Sequence, residues 1–150
     1  MTVRYFLMTA AIFIGELFIK KNVDDKWKMG YVKDIAGGRI SLHRYHNKGA
    51  MCNLGEKHSM GVAALSVGLT AGLLVCFALT LFQTGNQGLK TGLALLLGGA
   101  FSNTYDRMKR KYVVDYFSFH TGIRMIDRMI FNLADFAILA GAMISVICAE

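Results

Sequence analysis

Two aspartates near the end of the chain, each set beside an apolar run and attended by an asparagine, are the residues most able to do chemistry. The stretch Gly98-Gly99-Ala100-Phe101-Ser102-Asn103-Thr104-Tyr105-Asp106-Arg107 leads to Val113-Val114-Asp115, and Phe131-Asn132-Leu133-Ala134-Asp135 follows. An ionisable group at membrane depth costs about 2.5–3.5 kcal/mol on insertion scales, so a carboxylate kept there marks a functional site. If Asp115 and Asp135 face each other, their like charges cannot comfortably both ionise, and the pair holds one proton between them. The ionised member could then take a proton from water while the protonated member polarises a carbonyl or protonates a leaving amine. That is the arrangement of an aspartic peptidase, and it needs no metal or cofactor. The residues alone leave a second reading open, in which Asp115 is a solvated loop residue and Asp135 pairs with a lysine.

The neighbours fit a site that orders carboxylates. On a helix Asn103, Asp106 and Arg107 share a face, as do Asn132 and Asp135. A side-chain amide both donates and accepts, so it can orient a carboxyl group or hold a substrate carbonyl. Arg107 could neutralise Asp106 through paired hydrogen bonds, which would make Asp106 a structural carboxylate.

These residues need elements to position them. The chain has 150 residues, 54% of them hydrophobic, and a mean hydropathy of +0.40. A bilayer crossing needs about 20 mostly apolar residues, and four stretches are read as transmembrane helices, at about 5–19, 60–82, 88–105 and 129–149. The fold class expected is an all-α integral membrane protein, a single domain over 1–150, with a small extramembrane β-platform from a polar, β-rich insertion at about 24–56. Within it, Tyr31–Ile35 and Arg39–Tyr45 read as strands around the turn Ala36-Gly37-Gly38, since Ile40 and Leu42 alternate with Ser41 and His43. The short turn Gln83–Gln87 makes the second and third helices antiparallel neighbours. Gly68, Gly72, Gly98 and Gly99 would let membrane helices approach closely. Tyr112–Phe119 reads as an extended or interfacial segment with aromatic anchors.

The net charge of +7 falls beside apolar helices, which favours anionic lipid head groups over nucleic acid as the partner. Three cysteines, Cys52, Cys76 and Cys148, form no disulfide framework. His43 and His46 have no third ligand near them in sequence, so no metal is expected. The first apolar run holds Glu16 and is expected to remain attached rather than be cleaved as a signal peptide.

Taken in order, Gly98-Gly99-Ala100, Asn103, Asp106-Arg107, Val113-Val114-Asp115, Phe131-Asn132 and Ala134-Asp135 resemble the signal peptidase II family, the lipoprotein signal peptidases. Asn47-Lys48-Gly49-Ala50 is similar to that family's Asn-x-Gly-Ala motif, and Glu16 and Lys20 fall where the family has an Asp and a Lys. The resemblance implies a four-helix membrane aspartyl endopeptidase that cuts prolipoproteins just before a diacylglyceryl-modified cysteine. It places Asp115 and Asp135 on the catalytic aspartates. It places Asn47, Gly49, Asn103, Asp106, Arg107, Asn132, Ala134, Glu16 and Lys20 on substrate-binding or site-ordering positions. It implies no cofactor, prolipoproteins and phospholipids as partners, no nucleic acid, a monomer, and a multi-pass protein of the bacterial cytoplasmic membrane.

The chain departs from the family pattern at Glu16, Ser102, Met51-Cys52-Asn53 and Met129-Ile130, the last replacing a common proline. The positive charge of the Lys20–Ser59 and Arg107–Arg128 loops would put them in the cytoplasm by the positive-inside rule. The resemblance puts them and the active site on the outer face, and its more specific motifs are preferred. Two other functions compete: a catalytically inactive homologue that binds lipoproteins, motivated by Met51-Cys52-Asn53, and a proton- or ion-conducting protein using Glu16, Asp106 and Asp135 as a relay.

Overall fold

A computed structural model describes residues 2–50 and 55–149; the Met51-Cys52-Asn53 departure lies outside the described residues. In chain order the elements are α1 (Val3–Lys26), β1 (Val32–Ile35), β2 (Ile40–Asn47), α2 (Ser59–Phe82), α3 (Gln87–Lys109), β3 (Val113–Phe119), α4 (Arg124–Asp127) and α5 (Leu133–Ile147). The chain divides into two compact units. One comprises Met1–Leu17, Ala64–Tyr105 and Leu133–Glu150, and the other comprises Phe18–Ala63 and Asp106–Asn132.

The first unit is helical. Its core gathers Tyr5, Phe77, Leu93, Ala94 and Leu97, with Met8, Leu73, Leu81, Leu89 and Phe101 packed against them. Phe6 meets Phe77 edge-on at 5.7 Å between ring centroids. Much of α2 faces outward through apolar side chains, among them Leu65, Leu69, Val75 and Leu79. At 24 residues α2 spans about 36 Å at the helical rise of about 1.5 Å per residue. Among the described residues it is the one helix long and apolar enough to cross a membrane; α5 is apolar but shorter. The turn into α3 is closed by Asn86, whose side chain accepts from the Leu89 amide, while Lys90 Nζ donates to the Gln83 carbonyl at the end of α2. An asparagine cap and a lysine on exposed carbonyls stop and start helices in a chain without proline.

Close approach of backbones joins α3 to α5. A Cβ on Gly99 would lie 2.5 Å from the Ala134 carbonyl oxygen, and one on Gly92 would lie 2.8 Å from the Gly141 carbonyl oxygen. On α1, the hydroxyl of Thr9 donates to the Ala94 carbonyl.

The second unit is built on an antiparallel sheet in the order β1-β2-β3. The hairpin turns through Gly37 and Gly38, whose positive φ of 67° and 82° suits glycine. A register irregularity between Leu42 and Tyr45 sets Tyr45 opposite Asp115 and Asn47 opposite Val113. Val23, Val114 and Tyr116 form the core here, with Ile19, Trp27, Tyr112 and Phe117 against them.

Several expected boundaries shift. The first helix continues past residue 19 to Lys26, because Lys20 is buried against a carboxylate rather than ending the helix at solvent. The third helix runs on to Lys109. The segment Tyr112–Phe119 contains a full third strand, since its alternate residues pack on Val23 and its backbone pairs with β2. The last helix begins at Leu133 rather than at 129, because Phe131 forms a bridge to Phe117 and its backbone is committed to β3.

Candidate active site

Asp115 lies in the buried strand β3, with 3% of its surface exposed. Asn47 Nδ2 donates to its Oδ2 at 3.1 Å, and Asn132 Nδ2 donates to its Oδ1 at 2.7 Å. The sheet places both amides. Asn47 ends β2, and its Oδ1 accepts the Gly49 amide at 3.1 Å, which fixes which end of the side chain faces the carboxylate. The Asn-x-Gly spacing therefore has a local reason: an asparagine that turns the chain on itself leaves its NH2 free for another acceptor. Asn132 follows Phe131, whose carbonyl accepts from the amides of Tyr116 and Phe117 and whose amide donates to Phe117. This bridge brings Asn132 alongside β3.

A buried ion pair supports the same strand. Lys20 Nζ sits 3.1 Å from Asp106 Oδ2, both side chains fully buried, and the amide of Val114 donates to that same oxygen at 3.3 Å. Arg110 Nε lies 3.3 Å from the other oxygen. Asp106 is thus held in a buried ion pair whose cations are Lys20 and Arg110, where the sequence pointed to Arg107. Arg107 Nη2 donates instead to the Gly49 carbonyl at 3.2 Å. Asp106 and Arg110 form an i, i+4 pair, a spacing visible in the sequence.

Asp135 lies in the first turn of α5 and is half-buried. Asn103 Nδ2 donates to its Oδ1 at 2.9 Å. The helix start is held by Glu16, whose Oε1 accepts the Ala134 amide at 2.6 Å. A carboxylate on a free helical N–H satisfies one of the orphan donors and complements the positive end of the helix. Glu16, one methylene longer than the Asp of the family pattern, makes this contact.

A cavity of about 650 Å³ opens beside Asp115 and Asn47, lined also by Tyr45, Arg124, Met125, Arg128 and Ile130. Neither Tyr45 nor the two arginines stood out in the sequence. Tyr45 reaches the site only through the register irregularity in β2, which no local pattern announces. On the sheet, His43 bonds Ser118 Oγ at 2.8 Å, and burial, then the neighbouring His120, lowers its pKa. His46 meets Asp24 at 2.7 Å and stacks on Tyr112 at 3.7 Å between ring centroids. Burial and the Asp24 charge raise the pKa of Tyr112. The two histidines thus serve separate contacts. Asp127 is held ionised below its ordinary value, chiefly by the amide and hydroxyl of Thr121.

Residues 8–149 match the sequence model of a family described as signal peptidase (SPase) II. The lipoprotein signal peptidase of Lactobacillus johnsonii is 31% identical over 137 residues, 91% of this chain and 85% of that protein. The lipoprotein signal peptidase of Lactobacillus gasseri is 29% identical over 139 residues, covering 93% and 86%. That of Burkholderia cenocepacia is 44% identical over 82 residues, 54% of this chain and 46% of the relative. The fold is similar to that of a bacterial membrane enzyme solved by the in meso method, with a TM-score of 0.83 at 20% identity over 97% of this chain and 87% of the other. With the family match running nearly end to end and the motif asparagines seated on the two aspartates, this chain belongs to the signal peptidase II family.

Proposed function

We propose that the protein is an aspartyl endopeptidase of the bacterial cytoplasmic membrane. It removes signal peptides from prolipoproteins by cutting before a diacylglyceryl-modified cysteine. The observation that carries the reading is the matched treatment of the two aspartates. Asp115 is oriented by Asn47 and Asn132, and Asp135 by Asn103. Carboxylates held this way are pre-organised, which lowers the cost of reaching a reactive geometry.

In the mechanism proposed, one aspartate is ionised and the other protonated. The ionised carboxylate takes a proton from a water molecule as the water oxygen attacks the scissile carbonyl. The protonated carboxyl donates its hydrogen bond to that carbonyl oxygen. Collapse of the tetrahedral intermediate breaks the C–N bond, and a proton passes from a carboxyl to the leaving amine. The pair titrates jointly, so neither residue is assigned one role. Asn47 and Asn132 keep the lone pairs of Asp115 aimed, and Arg107 steadies the Gly49 turn that fixes Asn47.

The same proposal takes residues 1–150 as one membrane domain crossed by α1, α2, α3 and α5, with 24–56 as its extramembrane insertion. The active site faces the outer side, and the protein acts as a monomer on a lipidated substrate. The relay alternative is the weaker reading, because Asp106 is committed to two cations and Glu16 to a helix cap.

The test is cleavage of a diacylglyceryl-modified prolipoprotein peptide by the purified protein in detergent, beside Asp115→Asn and Asp135→Asn. The expected outcome is cleavage by the parent and loss of about 10⁴-fold or more in each variant, the scale on which acid–base groups act. Folding is checked by circular dichroism. Full activity in either variant removes that residue from the mechanism, and tight binding without turnover by the parent turns the assignment to an inactive homologue.

A further inference from the structure

The cavity beside Asp115 carries more positive charge than the reaction needs. Arg124 and Arg128 line it together with Asp115, Asn47 and Tyr45. Both arginines are exposed. Neither guanidinium has a hydrogen bond or an ion pair among the described residues, and the Arg128 backbone amide alone donates, to the Ile126 carbonyl. The carboxylate nearest them in sequence, Asp127, is turned the other way: its oxygens accept from the Thr121 amide at 2.7 Å, the Thr121 hydroxyl at 2.8 Å and the Gly122 amide at 3.1 Å. Three other arginines of this unit are engaged, Arg44 and Arg110 on Asp24 and Arg107 on the Gly49 carbonyl. Two guanidiniums are therefore held at the wall of one cavity with their donors unspent, and the one carboxylate in that wall is already bonded to two amides.

We propose that Arg124 and Arg128 are specificity-determining residues that receive a carboxylate side chain of the substrate polypeptide close to its scissile bond. The inference rests on the peptidase reading above. A peptide cut at Asp115 must pass through this cavity, and a guanidinium is the side chain best matched to a carboxylate, through paired N–H donors. Met125 and Ile130 in the same wall give the aliphatic part of that side chain an apolar surface. The pair acts on substrate choice and not on the bond-breaking step, so its effect falls on binding.

The experiment uses diacylglyceryl-modified peptides in which a single Asp, Asn or Lys is moved through the positions on either side of the cysteine. Two quantities are read for the full-length protein in detergent: affinity by fluorescence anisotropy, and KM with kcat. At one position the parent should favour Asp over Asn, and Asn over Lys, by about threefold to tenfold per step, the range for partly solvated charge pairs. The preference should appear in KM and affinity with little change in kcat. Arg128→Gln should flatten it, and Arg124→Glu with Arg128→Glu should reverse it in favour of Lys. Both residues are exposed, so melting temperatures close to the parent's are expected and are checked.

Absence of any charge preference, or one that survives both variants, overturns the proposal. Loss of binding to phosphatidylglycerol vesicles in the arginine variants, with peptide preference untouched, assigns the site to a lipid head group and also overturns it. Absence of cleavage with an intact charge preference in binding would defeat the peptidase reading alone.

Discussion

Around Asp135 the helices meet where side chains are missing, whereas around Asp115 the strand is held by charges and amides. In the helical unit, Gly99 lets α3 touch the backbone of Ala134, and Gly92 and Gly141 bring α3 and α5 together again further along. In the sheet unit, the Lys20–Asp106 pair, the Val114 amide, Asn47 and Asn132 do the holding. The difference follows from what each region can use. In the membrane setting proposed above, helices gain little from hiding apolar surface from an apolar medium and associate through close van der Waals contact and single polar bonds. A small sheet with a three-residue buried core has little apolar area to bury, and polar pairs must give its strands a unique register.

The largest expected effect lies on the charged side. Lys20→Met leaves Asp106 buried with Arg110 as its remaining cation among the described residues. Breaking a buried pair from one side costs about 3–5 kcal/mol, and the remaining cation points to the lower end. Thermal unfolding in detergent should show this drop, and a Lys20→Met, Asp106→Leu double variant should recover most of it. A single variant as stable as the parent would break the contrast, since it would reduce the pair to a surface ornament.

The two asparagine shells sharpen the comparison next. Asn132 is fully buried and bonds a carboxylate that is itself buried, so water cannot replace it. Asn132→Ala should lower kcat by about 100-fold, the scale for removing one pre-organised hydrogen-bond donor. Asn103 serves a half-buried aspartate, and solvent can substitute in part. Asn103→Ala should cost about tenfold, at the mild end for supporting groups. Single-turnover kinetics with saturating peptide reads both, and equal losses would mean that burial does not distinguish the two carboxylates.

On the glycine side, Gly99→Ala puts a methyl against the Ala134 carbonyl at 2.5 Å. Main chain cannot step aside as a flexible side chain can, so α3 and α5 must separate, at about 1–3 kcal/mol for such overpacking. Because Ala134 precedes Asp135, the same change should lower kcat together with the melting temperature. A Gly68→Ala control in α2, where a Cβ would meet nothing within 4 Å, should leave the melting temperature near that of the parent.

Legibility in the sequence followed the same divide. Helices were readable from apolar runs, but the Asn-x-x-Asp spacings set Asn103 with Asp106 and Asn132 with Asp135, whereas in the fold Asn103 bonds Asp135 and Asn132 bonds Asp115. The hairpin was readable from alternation and the glycine pair. The partner of Asp106 was not, because Lys20 reaches it from another helix and i, i+4 spacing cannot say which of several cations is buried. Tyr112–Phe119 was readable as extended or interfacial but not as a paired strand, because Val113–Phe119 is nearly all buried, and a strand covered on both faces loses the alternation that marks one. Tyr45, Arg124 and Arg128 join the cavity through register and loop path, which are tertiary facts.

The smallest expected effect concerns acid. Asp127 holds the loop that begins at Thr121 and carries Arg124, through the Thr121 and Gly122 amides, and its pKa lies below the ordinary carboxylate value because those bonds favour the charged form. A depressed carboxylate adds stability that is complete above the ordinary value of about 3.9 and disappears as pH falls through the lower folded value. The bonds of Asp127 lie at the surface, so the loop should loosen locally while both units stay folded. Hydrogen exchange of the Thr121 and Gly122 amides, corrected for intrinsic chemistry, should be protected above the ordinary carboxylate value and lose protection as pH falls well below it. Asp127→Asn should show reduced protection in both ranges. The α3–α5 contact, which owes nothing to a titrating group at Gly92, Gly99 or Gly141, should keep its amide protection over the same range. Parallel loss in both regions would mean that acid acts globally, and the distinction between a charge-held loop and a glycine-packed helix pair would fall with it.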